Sequence, residues 1–437
     1  MKFTQSIFAA AFAFAAAAAF AAPVTTQGVG VGKHGDIQVA VTFDNGKIQK
    51  IDILKNAENP VLAKKVFTDL KDQIVAANSV QLDGISGATF TSKGLFAAVE
   101  DAAKKAGVTL GQADKKALKA AVKDLPKDAS YDVVVIGAGG AGFSAAIEAK
   151  NAGATVVLLE KMPQVGGNSL ISGAEMNAAK NWVQPKLGIT DDSPELHAKD
   201  TYLGGDKKGD MKVINVMTHN ALAGAEWCRD YLGVRFEPDN LFFFGGHSRK
   251  RALIPVGHTG TEFITKFQAK ADELGIPVIT NMKAEELIKD KSGRVVGVKA
   301  TMNGAEYTFN AKGGVVLATG GFGANPAMVK KYNPKIDERF KTTDAPGTTG
   351  EALYMAQRAG AELVNMQYIQ TYPICDPISG VIELIADARF DGAIMLNQEG
   401  KRFVEELGRR DVLSEAILDQ TGGYCWVLWN DKIGAVS

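Results

Sequence analysis

The chain has 437 residues, of which 46% are hydrophobic and 22% charged, so it is long enough for about three folded domains and is not a disordered protein. Lysine plus arginine and aspartate plus glutamate both number 49, and this zero net charge offers no basic surface for nucleic acid or an anionic membrane. The cysteines, Cys228, Cys375 and Cys425, are too far apart for a disulfide framework, a CxxC metal site or a CxxCH haem site.

Residues 1–21 are predicted to be a secretory signal peptide. Lys2 precedes an apolar run from Ile7 to Phe20, and Ala19-Phe20-Ala21 forms an A-x-A cleavage pattern. The run is shorter than the ~20 apolar residues of a membrane span, and much of it is weakly hydrophobic alanine, which disfavours the alternative of a membrane anchor. We therefore expect an exported protein, located in the periplasm, with no transmembrane segment.

Residues 28–107 are predicted to form a small α+β domain, followed by a linker over residues 108–130 that is helical through Lys127. Its strands should meet at the Asn45-Gly46 turn, a pair that favours a tight hairpin. The expected strands and helices are Asp36–Phe43, Lys47–Leu54, Pro60–Ala77 and Ser92–Ala106.

A βαβ unit is predicted from Tyr131 onward. After an apolar strand, Val133–Ile136, the segment Gly137-Ala138-Gly139-Gly140-Ala141-Gly142 fits G-x-G-x-x-G and opens a helix that runs through Asn151. Glycines at these positions permit a tight turn and let the backbone approach a pyrophosphate at the helix N-terminus. Glu160 ends the next strand, Thr155–Glu160, where a carboxylate can bind a ribose hydroxyl. Later strands should return to this sheet: Arg294–Ala300, Glu306–Asn310 and Gly314–Ala318.

Two further motifs favour FAD over NAD as the dinucleotide. Glu160-Lys161-Met162-Pro163 leads to Gly166-Gly167-Asn168-Ser169, and Ala318-Thr319-Gly320-Gly321 ends the late strand. From Tyr131 onward this combination resembles the flavoprotein family of fumarate reductases and succinate dehydrogenases. The resemblance implies an α/β fold with a Rossmann-like FAD-binding domain over residues 131–363, into which an α+β capping domain is inserted that begins at residue 364 and is incomplete at residue 437. It also implies non-covalent FAD, held by Gly137, Ala138, Gly139, Gly142, Glu160, Lys161, Gly166, Gly167, Asn168, Ser169, Thr319, Gly320 and Gly321.

A second flavin is implied by the string Asp83-Gly84-Ile85-Ser86-Gly87-Ala88-Thr89. A turn that caps the next helix through Thr91 or Ser92 would account for the hydroxyl groups but not for the whole string. The string resembles the FMN-binding domain of bacterial respiratory flavoproteins, in which the final Ser or Thr carries FMN through a phosphoester bond. The resemblance therefore implies covalent FMN at Thr89.

The last region contains candidate proton-transfer residues. Gly400-Lys401-Arg402-Phe403-Val404 and Arg409-Arg410-Asp411 resemble the capping domain of soluble fumarate reductases. The resemblance implies that Arg410 is the proton donor and Arg389 its relay, which an arginine needs because it holds its proton tightly. On the residues alone, the alternative stays open that Asp411 caps a helix over Val412–Leu418 and Arg410 is a solvated neighbour.

Departures from the fumarate reductase pattern point to a different substrate. Tyr372-Pro373 stands where those enzymes have His-Pro, and Ile385-Ala386-Asp387-Ala388-Arg389 stands where they have Thr-Glu-Ala-x-Arg. Tyrosine and isoleucine do not bind the second carboxylate of fumarate as histidine and threonine do. A site with Tyr372, Asp387 and Phe244 suits a flat ring with an N–H or cationic edge, and this pattern resembles the urocanate reductases, whose substrate is an imidazole-bearing acrylate. Asp387 is expected to serve in catalysis as well as in binding.

The sequence thus predicts a periplasmic two-flavin reductase that converts urocanate to imidazole propionate, with hydride from FAD N5 and a proton from Arg410. Since the chain has no haem motif, an external donor, a c-type cytochrome or a membrane quinol dehydrogenase, is expected to reduce the FMN. The alternatives are another enoate reductase of the fumarate, cinnamate or acrylate type, a flavin dehydrogenase or oxidase that runs in the opposite direction, and a non-catalytic flavin electron carrier. The sequence stops at Ser437 before the family's remaining FAD- and carboxylate-binding residues, so a fragment is expected.

Overall fold

The computed structural model describes residues 22–59, 63–82, 84–85, 88–111, 125–375 and 384–434. The predicted signal peptide lies outside this range. The chain divides into two units, Met1–Asp124 and Leu125–Ser437. Within the described part of the chain, no helix combines the length and the apolar character that crossing a membrane requires.

The first unit is an antiparallel sheet packed against helices. Asn45 and Gly46 form the predicted turn with φ angles of 50° and 73°, and the first helical segment ends as predicted at Ala77, where Asn78 is left-handed with φ 49°. Residues 108–111 and 125–127 are not helical, contrary to the predicted helical linker, whose remainder lies outside the described residues. The elements, in the sheet order β1-β2-β3, are β1 (Val24–Val31), β2 (Asp36–Asp44), β3 (Lys47–Lys55), a π-helical turn (Val66–Leu70) that continues into α1 (Lys71–Ala77), and α2 (Thr89–Lys105).

Glycines allow β1 and α2 to approach each other at backbone distance. A Cβ atom at Gly28 would lie 1.9 Å from the carbonyl oxygen of Ala98, and one at Gly30 would lie 2.1 Å from that of Gly94. Any larger residue would therefore push the helix away from the strand. This close packing fixes helix α2, whose first residue is Thr89, against the sheet.

The second unit is built on a six-stranded sheet in the order β10-β11-β12-β4-β5-β9, in which β12, β4, β5 and β9 run parallel and β10, β11 and β12 run antiparallel. Its strands are β4 (Asp128–Ile136), β5 (Val156–Leu159), β9 (Val278–Ile279), β10 (Lys283–Lys289), β11 (Val295–Met302) and β12 (Ala305–Leu317). The remaining strands are β6 (Met176–Asn177), β7 (Phe236–Phe242) and β8 (Ala252–Pro255), which form one small sheet, and β13 (Ile394–Leu396) and β14 (Trp426–Leu428), which form another. The α-helices are α3 (Gly140–Asn151), α4 (Gly167–Ile171), α5 (Pro194–Gly204), α6 (Met211–Glu226), α7 (Thr261–Glu273), α8 (Pro326–Tyr332), α9 (Glu351–Ala359), α10 (Arg410–Leu418) and α11 (Asp431–Gly434).

The last residues of β4, Val133–Ile136, and the whole of β5 are apolar because both faces of the sheet are covered there. Val135 and Leu158 pack with α3 and α7 on one face, whereas Val134 and Val157 pack on the other, and all four side chains are fully buried. The parallel order places the ends of β4, β5 and β12 at one edge of the sheet. Ligands of open α/β sheets bind at that edge.

One strand prediction is wrong. The segments Glu306–Asn310 and Gly314–Ala318 were expected to be separate strands, but they form the single strand β12, which ends at Leu317. Its pairing with β4 shifts between Ala311 and Gly314, so the strand bends without ending. The intervening Lys312-Gly313 reads as a break in sequence, but the register shift absorbs these residues.

Candidate functional site

The glycine loop joins β4 to α3 in a geometry that only glycine permits at two positions. Gly137 has φ 102°, and a Cβ atom there would lie 2.4 Å from the carbonyl oxygen of Ala318. A Cβ atom at Gly142 would lie 1.8 Å from the carbonyl oxygen of Gly137. At Gly139 the nearest atom to an added Cβ, the hydroxyl oxygen of Ser169, is 3.6 Å away, which is ordinary van der Waals contact, and Gly139 and Gly140 at the start of α3 both line an open cavity. The helix N-terminus is thereby accessible to an anionic group such as a pyrophosphate.

A cavity of about 370 Å³ lies along this loop. Most of the predicted FAD-binding residues line it: Gly137, Gly139, Glu160, Lys161, Gly166, Gly167, Asn168, Ser169, Thr319 and Gly320. Ala138, Gly142 and Gly321 are not among the lining residues. Further lining residues, which sequence reasoning missed, are residues 282–284, 345, 347–348, 350–353 and 355–356. An open groove lined by backbone amides at a helix N-terminus fits a dinucleotide such as FAD.

Glu160 and Lys161 are held in place by protein partners on the cavity wall. The carboxylate of Glu160 accepts hydrogen bonds from the amides of Ala138 at 2.9 Å and Met162 at 2.8 Å. A carboxylate has about four acceptor positions, so Glu160 retains capacity for a ribose hydroxyl. The Nζ of Lys161 donates to Thr349 at 2.5 Å and to Glu351 at 2.7 Å. Lys161 therefore links the segment after β5 to Glu351, another residue that lines the cavity.

The Gly166–Ser169 segment is hydrogen-bonded to residues 344–345 and to the start of α3. Asn168 donates from Nδ2 to Asp344 at 2.5 Å and accepts the amide of Ala345 at 2.6 Å. The hydroxyl of Ser169 accepts the amide of Gly140 at 3.1 Å, at the start of α3. The local sequence does not predict that Asp344 is the partner of Asn168, because the two residues are far apart along the chain.

Helix α2 is not capped by either hydroxyl that the sequence offered as a cap. The helix begins at Thr89, before the predicted start at Ser92, and its N-cap residue, Ala88, has no side chain for capping. Thr91 donates instead to the buried carboxylate of Glu58 at 2.5 Å. Ser92 accepts the amide of Ile85 at 2.9 Å, which ties the preceding loop to the helix. The side chain of Thr89 and residues Asp83, Ser86 and Gly87 lie outside the described residues.

Two arginines and two aromatic rings meet in the last part of the second unit. The Cζ atom of Arg410 lies 4.9 Å from the ring centroid of Tyr372 and 6.0 Å from that of Phe244. The Cζ atom of Arg389, whose residue is 3% exposed, lies 5.9 Å from the Tyr372 ring. The fold thus brings together four residues that were expected to share a substrate site. Asp387 belongs to a 3₁₀-helical turn, Leu384–Asp391, and its side chain is not described.

Asp411 does not cap the last long helix. Helix α10 begins at Arg410 with Arg409 as the N-cap residue and has no side-chain cap. Asp411 lies in the first turn and accepts a hydrogen bond at 3.1 Å from the Nε of Arg409, which also binds Asp206. The Arg409 guanidinium lowers the pKa of Asp411. The alternative of an Asp411 cap is therefore wrong, and the half-buried Arg410 lies against aromatic rings.

A buried ion cluster, which sequence reasoning missed, lies behind Phe244. The fully buried guanidinium of Arg251 donates to Asp192 at 2.8 and 3.0 Å and to Asp200 at 2.7 Å. It also donates to Nδ1 of His247 at 3.0 Å. Burying an ion is tolerated only where it is paired and hydrogen-bonded, as each of these charges is. Because the two aspartates lie more than 50 residues before Arg251 in the chain, no local sequence motif predicts the cluster.

Two neutral histidines stand beside this cluster. His197 and His247 line a second cavity of about 730 Å³, which shares Gly140, Ala141 and Ser169 with the first. Burial and then the charge of Arg251 lower the pKa of His197 to about 4 and also lower that of His247. Both imidazoles are therefore uncharged near neutral pH. Among the described residues, no hydrogen-bond partner is found for Nδ1 of His197.

Mild acid is expected to destabilise the second unit through His197. The unfolded chain takes up this proton near the ordinary pKa of 6.5, whereas the folded protein does so near a pKa of about 4. Between these values the unfolded state binds more protons, so the free energy of unfolding falls with pH. The contribution of His197 to it is complete above pH 6.5, and about 2 kcal/mol of it is lost at pH 5. Urea unfolding at about pH 7 and about pH 5 measures it, and His197→Gln should show a smaller loss. An equal loss in both proteins would contradict the assignment.

Comparison with known proteins assigns the chain to a family. The FAD binding domain family matches residues 132–434, and the FMN-binding domain family matches residues 32–104. The chain belongs to the FAD binding domain family. It is therefore a member of a family of flavin-dependent oxidoreductases, with an FMN-binding domain before its FAD-binding domain. The match through residue 434 gives no boundary at residue 364, so the start of the capping domain stays a prediction.

Three relatives of this flavoprotein are oxidoreductases that are named for urocanate, acrylate and fumarate. A urocanate reductase from Eggerthella lenta is 43% identical over 92% of this chain and 67% of its own length. An NADH:acrylate oxidoreductase from Vibrio harveyi is 32% identical over 92% of this chain and 46% of its own length. A fumarate reductase (cytochrome) from Shewanella frigidimarina is 37% identical over 73% of this chain and 55% of its own length. The chain thus spans two thirds of the first relative and about half of the other two.

A solved structure supports the same fold. The open conformation of a flavocytochrome c3 fumarate reductase matches with a TM-score of 0.63 and 32% identity, over 75% of this chain and 57% of that one. The predicted fold class, α/β with a Rossmann-like FAD-binding domain behind a small FMN-binding domain, is confirmed.

Proposed function

We propose that this flavoprotein reduces the C=C bond of an α,β-unsaturated carboxylate and that its substrate is urocanate, which becomes imidazole propionate. The observation that carries the proposal is the meeting of Arg410 with the rings of Tyr372 and Phe244 at 4.9 and 6.0 Å. A cation beside two aromatic faces suits a substrate with an anionic acrylate at one end and a flat ring at the other. The names of the relatives, for urocanate, acrylate and fumarate, support this reaction class.

The ring of the substrate is proposed to lie against Phe244 and Tyr372. Both side chains are half-buried and carry no charge, so they favour a planar ring over a second carboxylate. Asp387 is proposed to accept the imidazole N–H, which a carboxylate binds more strongly than a neutral acceptor does. This role rests on the residue type and the sequence resemblance.

Arg410 is proposed to hold the proton that the substrate receives at its α-carbon. Its guanidinium also places positive charge where negative charge develops on the substrate carboxylate during reduction. Arg389 faces the same Tyr372 ring at 5.9 Å, which supports its proposed role in returning a proton to Arg410. FAD, when bound, supplies the hydride for this chemistry. Gly137, Gly139, Glu160, Ser169 and the other predicted residues of the first cavity would hold it.

FMN is proposed to be attached covalently at Thr89. The FMN-binding domain family covers this residue, and the attachment itself rests on the string Asp83–Thr89. We also propose that the protein is exported to the periplasm, where a c-type cytochrome or a membrane quinol dehydrogenase delivers electrons to the FMN. Transfer then continues to FAD and the substrate.

Replacing Thr89 with valine is expected to abolish covalent FMN, because valine lacks the hydroxyl that forms the phosphoester bond. Intact mass of the exported protein should show one added FMN in the wild type and none in Thr89→Val. Thr25→Val, which removes an exposed hydroxyl on β1, is the matched control and should keep the added mass. FMN retained in Thr89→Val would place the attachment elsewhere.

The proposed reaction is tested by oxidation of a reduced viologen dye. The complete gene product, loaded with FAD, should oxidise the dye when urocanate is added and form imidazole propionate. If the protein reduces fumarate, cinnamate or acrylate faster than urocanate, that compound is the substrate and the assignment of urocanate is wrong. Absence of turnover with every enoate, with flavins bound and reducible, would instead favour an electron carrier.

A further inference from the structure

Phe244 is presented by a tight turn between β7 and β8. The amide of His247 donates to the carbonyl oxygen of Phe244 at 3.2 Å, and Gly246 within the turn has φ 87°. The rings of Phe244 and His247 lie 6.3 Å apart. His247 is therefore the residue that closes the turn through its backbone and borders the Phe244 ring through its side chain.

The buried ion cluster anchors the far end of this turn. One carboxylate oxygen of Asp200 accepts from the amide and the hydroxyl of Ser248, at 2.9 and 2.8 Å, and from Nη1 of Arg251 at 2.7 Å. The same Nη1 lies 3.0 Å from Nδ1 of His247. Since a guanidinium can only donate, Nδ1 of His247 must accept and the ring proton must be on Nε2. The orientation of the imidazole is thus set by Arg251.

We propose that His247 is a positioning residue for the substrate site: held by Arg251, it fixes the Phe244 turn and so sets the place of the aromatic wall against which the substrate ring lies. The inference rests on the proposed function, since it concerns a ring-bearing enoate. A continuous series of contacts supports it: Asp200 binds Arg251, Arg251 binds His247, and the ring of His247 lies beside Phe244. Phe244 in turn lies beside Arg410.

A substitution at His247 can test the positioning role without disrupting the buried ion cluster. Arg251 keeps both of its carboxylate partners, Asp192 and Asp200, when the side chain of His247 is changed. The ion cluster therefore stays paired, and the substitution mainly removes the Nδ1 acceptor through which Arg251 orients the turn. His247 is itself only half-buried on the wall of the second cavity, so its replacement leaves no large void in the core.

A pair of substitutions separates the acceptor from the bulk of the ring. His247→Leu removes the acceptor, whereas in His247→Asn the amide oxygen can replace Nδ1. In the FAD-loaded complete enzyme, His247→Leu is expected to raise the Kd and the KM for urocanate about tenfold with kcat within about threefold, which is the scale of one hydrogen bond to a charged group. In His247→Asn, the Kd for urocanate should stay within about threefold of the wild-type value. The Kd for acrylate, which has no ring, should stay within about threefold in both variants. Kd is read without reductant from the change in the flavin spectrum.

A double-mutant cycle tests whether His247 acts through Phe244. In a Phe244→Ala background His247→Leu should have little further effect, because the wall that it positions is gone. His219→Leu, at an exposed histidine paired with Glu195, is the matched control and should leave Kd unchanged. If His247→Leu does not retain FAD, Ser248→Ala is used instead; it removes one bond to Asp200 and should raise Kd about threefold.

The outcomes separate the inference from the function on which it rests. A wild-type protein that neither binds nor reduces urocanate overturns both. A wild type that does so, with unchanged Kd in His247→Leu or in Ser248→Ala used in its place, overturns the positioning role alone. A full tenfold effect of His247→Leu in the Phe244→Ala background also overturns it, since the histidine would then act on the substrate by another route.

Discussion

Replacing Arg410 with methionine is expected to lower kcat for urocanate about 10²–10⁴-fold, which is the usual contribution of a positioned general acid. Methionine keeps an unbranched apolar stem against Tyr372 and Phe244 but removes the guanidinium that approaches these rings at 4.9 and 6.0 Å. The cavity along the glycine loop, where FAD is proposed to bind, is lined by other residues, so FAD should remain bound at wild-type stoichiometry. Steady-state rates with a reduced viologen dye and the flavin absorbance spectrum measure the two effects.

The adjacent arginine provides the matched control. Arg409 carries the same side chain at the preceding position, but its guanidinium is bound to Asp411 and Asp206. Arg409→Met is expected to change kcat less than tenfold, because an exposed ion pair contributes only about 0–1 kcal/mol. Near-normal turnover in Arg410→Met would return Arg410 to a structural role, and an equal loss in both variants would show that the start of α10 as a whole matters.

Urocanate is expected to be reduced at least about 10³-fold more efficiently than fumarate, as judged by kcat/KM. At the positions that would bind the second carboxylate of fumarate, the chain has Tyr372, Ile385 and Asp387. Leaving a carboxylate unpaired there costs at least a few kcal/mol in a partly buried site. An imidazole N–H that donates to Asp387 gains roughly 1.5–3 kcal/mol. Both effects favour urocanate, and each 1.4 kcal/mol changes the ratio about tenfold.

Substitutions at the same positions should reverse this preference. Asp387→Ala is expected to impair urocanate reduction more than reduction of an acrylate with an apolar ring. Tyr372→His together with Ile385→Thr should raise fumarate turnover, and the removal of Asp387 in addition should raise it further by relieving charge repulsion. Wild-type enzyme that reduces fumarate as fast as urocanate would show that this assignment of the pocket is wrong.

Features that depend on neighbouring residues were predictable from the sequence. The Asn45-Gly46 hairpin, the apolar end of β4, the strand β5 and the glycine turn into α3 all follow from local preference, because the turn needs a positive φ at Gly137 and the helix follows at once. The family resemblances added the cofactors, FAD through strings such as Gly166–Ser169 and FMN through Asp83–Thr89. Neither periodicity nor spacing alone distinguishes FAD from NAD.

Hydroxyl and carboxylate residues near helix ends were assigned less well, because their partners are remote. Thr91 and Ser92 are good capping residues by type, yet Thr91 binds Glu58 and Ser92 binds the loop at Ile85. Asp411 is similarly placed as a cap, but Arg409 binds it. A capping preference of about 1 kcal/mol is easily outweighed by a buried or charged partner that the local sequence does not contain.

The sequence by itself determined the cofactor class, the phosphate-binding turn and the residue types of the candidate substrate site. Only the tertiary structure decided which of those residues meet: Arg410 with Tyr372 and Phe244, and Arg251 with Asp192, Asp200 and His247. The physical reason is that local conformation is set by each residue and its neighbours along the chain. Pairing of buried charges and rings is set by packing among elements distant in sequence, where desolvation makes an unpaired ion too costly to keep.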